Sequence, residues 1–224
     1  MEKKYIEKIV ETLIDEYGAL ERENLADPLD ELIRTITSQN TTDRLSDKVF
    51  KSLKERFPRW DMLLASDGIK DEVEEVIRPA GLAPTKAERI IGIIRTIRER
   101  EGSITLDRLR EMPDDEVVSY LISMKGVGLK TAYCVLAFSL SRDVSPVDTH
   151  IHRVSTRIGI IPDDTTREKA HYILNDMLPE GRRYLAHLAM IKHGRIVCKA
   201  RKPQCSDCCV KIHCDYYNSS RFDS

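Results

Sequence analysis

Met124-Lys125-Gly126-Val127-Gly128-Leu129-Lys130-Thr131-Ala132, an apolar helix after it, and then Pro146-Val147-Asp148-Thr149-His150 form the stretch on which the reading of this chain turns. Upstream of it, Val117, Tyr120, Leu121 and Met124 recur at i, i+3, i+4 and i+7, which predicts an amphipathic helix over Asp115 to Met124. Gly126 and Gly128 can both take positive φ at little cost, so the chain can turn sharply there into a second helix that starts near Leu129. The unpaired amides at the start of that helix, with those of the hairpin, make an anion site that would hold a phosphate without reading a base. Gly-x-Gly alone fits equally well a C-cap glycine followed by an ordinary turn between helices. The continuation Lys130-Thr131-Ala132 favours the phosphate clamp. It sets a lysine in the first turn of the helix, with Asp148 a short way downstream as a carboxylate partner.

A second signal lies in the tail. Cys198-x6-Cys205-x2-Cys208-x5-Cys214 gathers four thiolates in one compact loop, and soft thiolates in that number select an iron-sulfur cluster or zinc. Spacing alone does not choose the metal, although a first gap of six is unlike the two matched knuckles of many zinc ribbons. Cys209 adjoins Cys208 and breaks the pattern, and Cys134 falls inside the helix after the hairpin, so both read as free or buried thiols. A disulfide framework is not expected in a chain of this length without a secretory signal.

Gly126-Val127-Gly128-Leu129-Lys130-Thr131-Ala132 and Val147-Asp148-Thr149-His150 together resemble the helix-hairpin-helix glycosylases of the endonuclease III family. Gly194-Arg195, Cys198, Ala200-Arg201-Lys202-Pro203 and the cysteines after them match the same family, and Ser38-Gln39-Asn40-Thr41-Thr42-Asp43 does so more loosely. The likeness covers essentially the whole chain. It implies an all-α, two-lobed fold: a six-helix barrel over 24–141, with the hairpin at about 115–140, and a second lobe made of 1–23 plus 142–224. The second lobe would carry a [4Fe-4S] cluster on Cys198, Cys205, Cys208 and Cys214. Double-stranded DNA with a damaged, mismatched or abasic site would lie across the groove between the lobes, and the active site would straddle them. A monomer acting in the cytoplasm, on the nucleoid in a prokaryote, is expected.

The chemistry fits the two residues singled out. Cleaving a base from its sugar needs a group that stabilises positive charge on the deoxyribose and a nucleophile for C1′; a carboxylate does the first and an unprotonated amine the second, forming a Schiff base. The helix dipole and partial burial would both favour the neutral amine of Lys130. Asp148 is expected to cap the helix that follows it while its carboxylate faces the sugar. The imine can eliminate the 3′ phosphate, so the chain is expected to be a bifunctional glycosylase and abasic-site lyase. Taken singly, a lysine opening a helix is usually solvated and an aspartate before Thr-His is usually only a cap. His150 reads as structural, and His152, where an aromatic residue is expected, has no assigned role.

The substrate is less legible. The target base must be flipped out and its place in the stack filled. Gln39 and Asn40 lie in the segment that, by the resemblance, approaches the lesion or the opposite strand; helix C-capping is their plainer reading. A damaged or modified pyrimidine is the leading expectation. Ser38 to Asp43 with Arg44-Leu45-Ser46 is also similar to plant 5-methylcytosine glycosylases, and mismatch-directed removal of thymine or uracil stays open, as does a structure-specific DNA-binding module without chemistry. An adenine-mismatch role is disfavoured by Lys130 and by the lack of a matching glutamate near Gln39.

Composition sets the remaining bounds. The 224 residues are 41% hydrophobic, enough for one or two compact units. A net charge of -1 argues against a highly basic DNA-coating protein, but Gly181 to Ser206 holds no acid and seven cations: Arg182, Arg183, Lys192, Arg195, Lys199, Arg201 and Lys202. That face fits phosphate contact, with Lys199, Arg201 and Lys202 as the DNA-binding candidates; a solvated face is the alternative. Ile6, Ile9, Val10, Leu13, Ile14 and Tyr17 share one side of an N-terminal helix that reads as neither signal peptide nor membrane span. Asp27-Pro28 reads as a helix start, and Thr85 to Glu88 and Thr165 to Glu168 read as capping boxes.

Overall fold

In a computed structural model that describes residues 2–18, 25–66 and 68–219, all regular structure is helical, and the all-α expectation holds. The α-helices are α1 (Lys3–Tyr17), α2 (Pro28–Ser38), α3 (Asp43–Arg56), α4 (Ile69–Ile77), α5 (Ala83–Glu101), α6 (Asp114–Ile122), α7 (Leu129–Phe138), α8 (Thr149–Ile158), α9 (Arg167–Met177), α10 (Arg183–Ile196) and the short α11 (Asp215–Asn218), with 3₁₀ turns between some of them. None is long and apolar enough to cross a membrane. The chain packs as two units, Leu25–Ser141 and Met1–Asn24 with Arg142–Ser224. The boundary expected at Asn24 lies outside the described residues.

The continuous unit holds α2 to α7. Asp27 opens α2 as its composition predicts: Oδ1 accepts from the amides of Leu29 (2.9 Å) and Asp30 (3.0 Å), and Pro28 occupies the first helical position, where a missing N–H costs nothing. The stripe Leu29, Leu32, Ile33 and Ile36 is fully buried, and α2 packs on α3, α5 and α7. Ile90, Ile93, Ile94 and Ile97 of α5 are buried too, with Val117 and Leu121 of α6 and Val135 and Leu136 of α7. Each such side chain contributes roughly 1.5–3 kcal/mol.

The expected capping box at Thr85 does not form. Helix α5 begins two residues earlier, at Ala83, behind Leu82 in a left-handed conformation (φ +53°), so Thr85 lies inside the first turn. Pro84 tolerates that position because first-turn amides have no helical acceptor.

In the discontinuous unit, Ile6, Ile9, Val10 and Leu13 of α1 share one core with Ile151, Val154 and Ile158 of α8, Ala186, Ala189 and Met190 of α10, and Val210 and Cys214 of the tail. The second capping box is shifted by one residue: Thr166, not Thr165, caps α9, its Oγ1 accepting from the amide of Lys169 at 3.3 Å. The third helical residue is then Lys169, and Glu168 has no reciprocal place.

Candidate active site and cysteine loop

Helix α6 ends at Ile122, and the chain reverses over Ser123 to Gly128. Only one of the two glycines uses the left-handed region. Gly126 has φ +88°, whereas Gly128 is extended (φ -104°) and serves as the residue before α7. Val127 between them is buried, which pins the hairpin to the core. Gly126 is needed for space as well as for φ, because a Cβ there would lie 2.5 Å from Cδ of Arg89. This arginine of α5 lies against the hairpin, and its Nη1 donates to Oε1 of Gln39 (2.8 Å). The Gln39 amide nitrogen in turn donates to the Gly126 carbonyl (3.4 Å), and its backbone N–H closes α2 on the Ile36 carbonyl. Both ends of the Gln39 side chain are thus engaged by protein groups. Asn40 next to it is exposed, in a left-handed conformation (φ +56°).

Lys130 is half-buried in the first turn of α7. It hydrogen-bonds the buried thiol of Cys134, one turn further along the same helix. Burial pushes that thiol up, against the pull of Lys130, so Cys134 stays protonated and does not compete as a nucleophile. From α2, Glu31 faces the same surroundings at 2% exposure. Its Oε1 accepts from Thr35 Oγ1 (3.0 Å) and its Oε2 from Arg34 Nε (3.0 Å). Burial raises the Glu31 carboxyl, with Arg34, Thr35 and the charge of Lys130 pulling it back. The lysine therefore sits beside a thiol and a carboxylate that is already balanced by an arginine. Sequence inspection missed Glu31, Arg34 and Arg89, since charged residues within a helical pattern carry no sign of what they face.

Asp148, half-buried, follows a run without regular structure and opens α8 as its N-cap: Oδ1 accepts from the amide of Ile151 at 2.8 Å. His150 Nδ1 accepts from Nη2 of Arg153 (3.1 Å), a structural contact. His152 has one as well, since Nε2 donates to the Thr165 carbonyl (2.7 Å) and ties α8 to the loop before α9.

Cys198, Cys205, Cys208 and Cys214 line one pocket with Arg157, His193 and Val210, partly open to solvent. Cys209 is not in that lining. Burial pushes the thiols of Cys205, Cys208 and Cys214 up, Cys208 to about 12, and the charges of neighbouring thiols, if ionised, would add to it: Cys205 feels Cys198, Cys208 feels Cys209, Cys214 and Cys198, and Cys214 feels Cys198 and Cys205. Four thiolates so close in an apolar pocket need a cationic centre to be stable. Among the described residues no three or more His, Cys, Asp or Glu are arranged to hold one metal ion. Around the four thiols Arg157 Nη1 reaches Cys198 Sγ (3.5 Å) and the Lys199 carbonyl (2.7 Å), and Nη2 the Ala200 carbonyl (3.1 Å). His193, lowered by burial to about 4 and hence neutral, shares a hydrogen bond between Nδ1 and the Tyr17 hydroxyl (2.8 Å).

The expected basic face divides in two. Arg182 pairs with Glu11 (2.9 Å), Arg183 lies 3.9 Å from Asp143, and Lys192 donates to the Tyr17 carbonyl (3.3 Å) while lying over its ring. Those cations hold the unit together. Lys199, Arg201 and Lys202 are exposed on the loop that leaves α10.

Compared with known proteins, residues 33–180 match the HhH-GPD superfamily of base excision DNA repair proteins. The "Putative DNA glycosylase At3g47830" of Arabidopsis thaliana is 36% identical over 174 residues, 78% of this chain but only 59% of that protein. Endonuclease III of Thermotoga maritima is 33% identical over 212 residues, 95% of this chain and 93% of its own. A solved non-covalent endonuclease III–DNA complex aligns over 100% of both chains, with a TM-score of 0.83 and 28% identity.

Proposed function

This chain belongs to the HhH-GPD superfamily of base excision DNA repair proteins and is a DNA glycosylase of the endonuclease III type; on that premise we propose that it removes a damaged or modified pyrimidine from duplex DNA through a Schiff base on Lys130 and then cuts the strand at the abasic site. The observation that carries this reading is the setting of Lys130 in the first turn of α7, directly after the hairpin and in contact with a buried thiol.

In the first step the Lys130 amine forms a bond to C1′ as the bond from C1′ to the base breaks, and the base leaves with the electron pair and takes up a proton. Asp148 supplies the negative charge that stabilises the sugar as it becomes cationic, an interaction strongest in the transition state. The sugar ring opens as the lysine adduct becomes an imine. Loss of a C2′ proton then expels the 3′ phosphate, and water frees the lysine.

The remaining residues hold the DNA. The hairpin amides at Gly126 and Gly128 take a phosphate, Lys199, Arg201 and Lys202 take others, and the exposed Asn40 faces the displaced base or its partner, with Gln39 beside it holding Arg89 to the hairpin. Cys198, Cys205, Cys208 and Cys214 would hold a [4Fe-4S] cluster, whose contribution is to fix the fold of the loop that carries the three cations.

Borohydride trapping on a duplex with one abasic site tests the reading. Wild-type protein should give a covalent complex, and Lys130→Ala none, with duplex affinity kept within a few-fold. Trapping that persists in Lys130→Ala would move the nucleophile elsewhere. No trapping and no strand cleavage on duplexes carrying thymine glycol, G·T, G·U or 5-methylcytosine would favour a binding module without chemistry.

A further inference from the structure

The segment before Asp148 is irregular yet buried: Ser145 is 0% and Val147 1% exposed, and Pro146 is buried between them. Backbone groups in such a place need partners, and here side chains of α9 and α10 provide them. Asn175 brackets Ser145, its Oδ1 accepting from the Ser145 amide (2.7 Å) and its Nδ2 donating to the Ser145 carbonyl (3.0 Å). Nδ1 of His187 donates to the Pro146 carbonyl at 2.9 Å. Nε2 of His171 accepts from the amide of Val147 at 3.0 Å.

The His171 tautomer follows from its two partners. Nδ1 faces the Arg167 carbonyl at 2.7 Å and must carry the hydrogen, whereas Nε2 faces an N–H and must be bare. His171 is 2% exposed, so water cannot take over its bond to Val147. The residue after Val147 is the aspartate whose Oδ1 is already fixed by the Ile151 amide. Asp148 is thus set from both sides, by α8 through its own side chain and by α9 through the preceding peptide.

We propose that His171, as a neutral imidazole accepting from the Val147 amide, is a positioning residue for Asp148, with Asn175 and His187 fixing the two residues before it. This rests on the reading of Asp148 as the carboxylate that acts in base release. Loss of the acceptor leaves the Val147 amide buried without a partner, the peptide turns to find one, and the carboxylate is displaced from the sugar. Base release falls while DNA binding, which uses other groups, does not.

Four variants separate the possibilities: H171L, H171N, H171Q and D148N. The panel of duplexes with thymine glycol, G·T, G·U or 5-methylcytosine identifies the base that wild-type protein removes fastest, and single-turnover release of that base is compared with affinity for, and borohydride trapping on, abasic duplex. Gln can reach Val147 with Oε1, whereas Asn is too short and Leu has no acceptor. H171L and H171N should slow base release about tenfold or more, with abasic-duplex affinity and trapping within about threefold of wild type, and H171Q should restore release to within about threefold. The H171N and H171Q pair decides the matter if H171L does not fold. Equal release by H171N and wild type, equal losses in H171N and H171Q, or a parallel loss of release, affinity and trapping would each overturn the positioning role. If D148N is slow and H171N is not, only the role of His171 falls; if D148N releases base at the wild-type rate, the carboxylate reading falls and takes this one with it.

Discussion

Replacing Gly126 with alanine should destabilise the hairpin unit by about 2–4 kcal/mol, and the structure divides that cost into two separable parts. One is conformational: at φ +88° an alanine is held in the left-handed region, at roughly 1–2 kcal/mol. The other is steric. The new Cβ would sit 2.5 Å from Cδ and 2.8 Å from Cγ of Arg89, atoms in the middle of that side chain, so the whole arginine must move and its bond to Gln39 breaks. A charged hydrogen bond of this kind is worth about 1–2 kcal/mol. Urea unfolding of wild type, G126A, R89A and the double variant closes a cycle. The cost of G126A should drop by about 1–2 kcal/mol in the R89A background, leaving the conformational part alone. Gly128→Ala is the internal control: it is extended, an added Cβ meets nothing within 4 Å, and its cost should stay below about 1 kcal/mol. If G126A costs the same with and without Arg89, the arginine does not pack on the hairpin as described.

D148N should slow base release far more than it weakens binding while keeping stability, since asparagine caps a helix as well as aspartate; D148A should add a loss of about 1 kcal/mol in thermal or urea unfolding, and equal stability of the two would argue against the cap. Purified protein should be yellow-brown with about four irons per chain, and a single tightly held zinc without iron after anaerobic preparation would sink the cluster. R201E and K202E should weaken binding to any duplex to a similar degree and flatten its salt dependence, whereas unchanged affinity across a salt series would leave the loop merely solvated. Lys86 is buried, with Nζ donating to the carbonyls of Thr37 and Ala80 at 2.9 Å each, and burial lowers its pKa. K86M should cost about 1–3 kcal/mol at neutral pH by orphaning both carbonyls. Between the lowered folded value and the usual lysine value the unfolded chain binds more protons, so wild-type stability gains a rising term with pH in that window. Matching pH dependence in K86M would refute that assignment.

The sequence by itself settled what depends on local pattern. Helical periodicity in α2, α5 and α6, the Asp27-Pro28 start, the turn at Gly126 and the cap at Asp148 are all dictated by neighbours a few residues away, and so they could be read from the chain. The cysteine spacing was legible for the same reason, because the four thiols come from one loop. Where local signals competed, the reading slipped: a capping box at Thr85 gave way to a helix begun at Ala83, and the cap of α9 moved from Thr165 to Thr166. What only the tertiary structure decided is the company each residue keeps. Glu31 and Arg34 come to the surroundings of Lys130 from about a hundred residues away, Arg89 crosses to Gln39 from another helix, and His171 and His187 reach the backbone before Asp148 from α9 and α10. A histidine or glutamate in a helical pattern looks the same whether it faces water or a buried amide, because periodicity records which side of a helix is inside and not which polar group waits there.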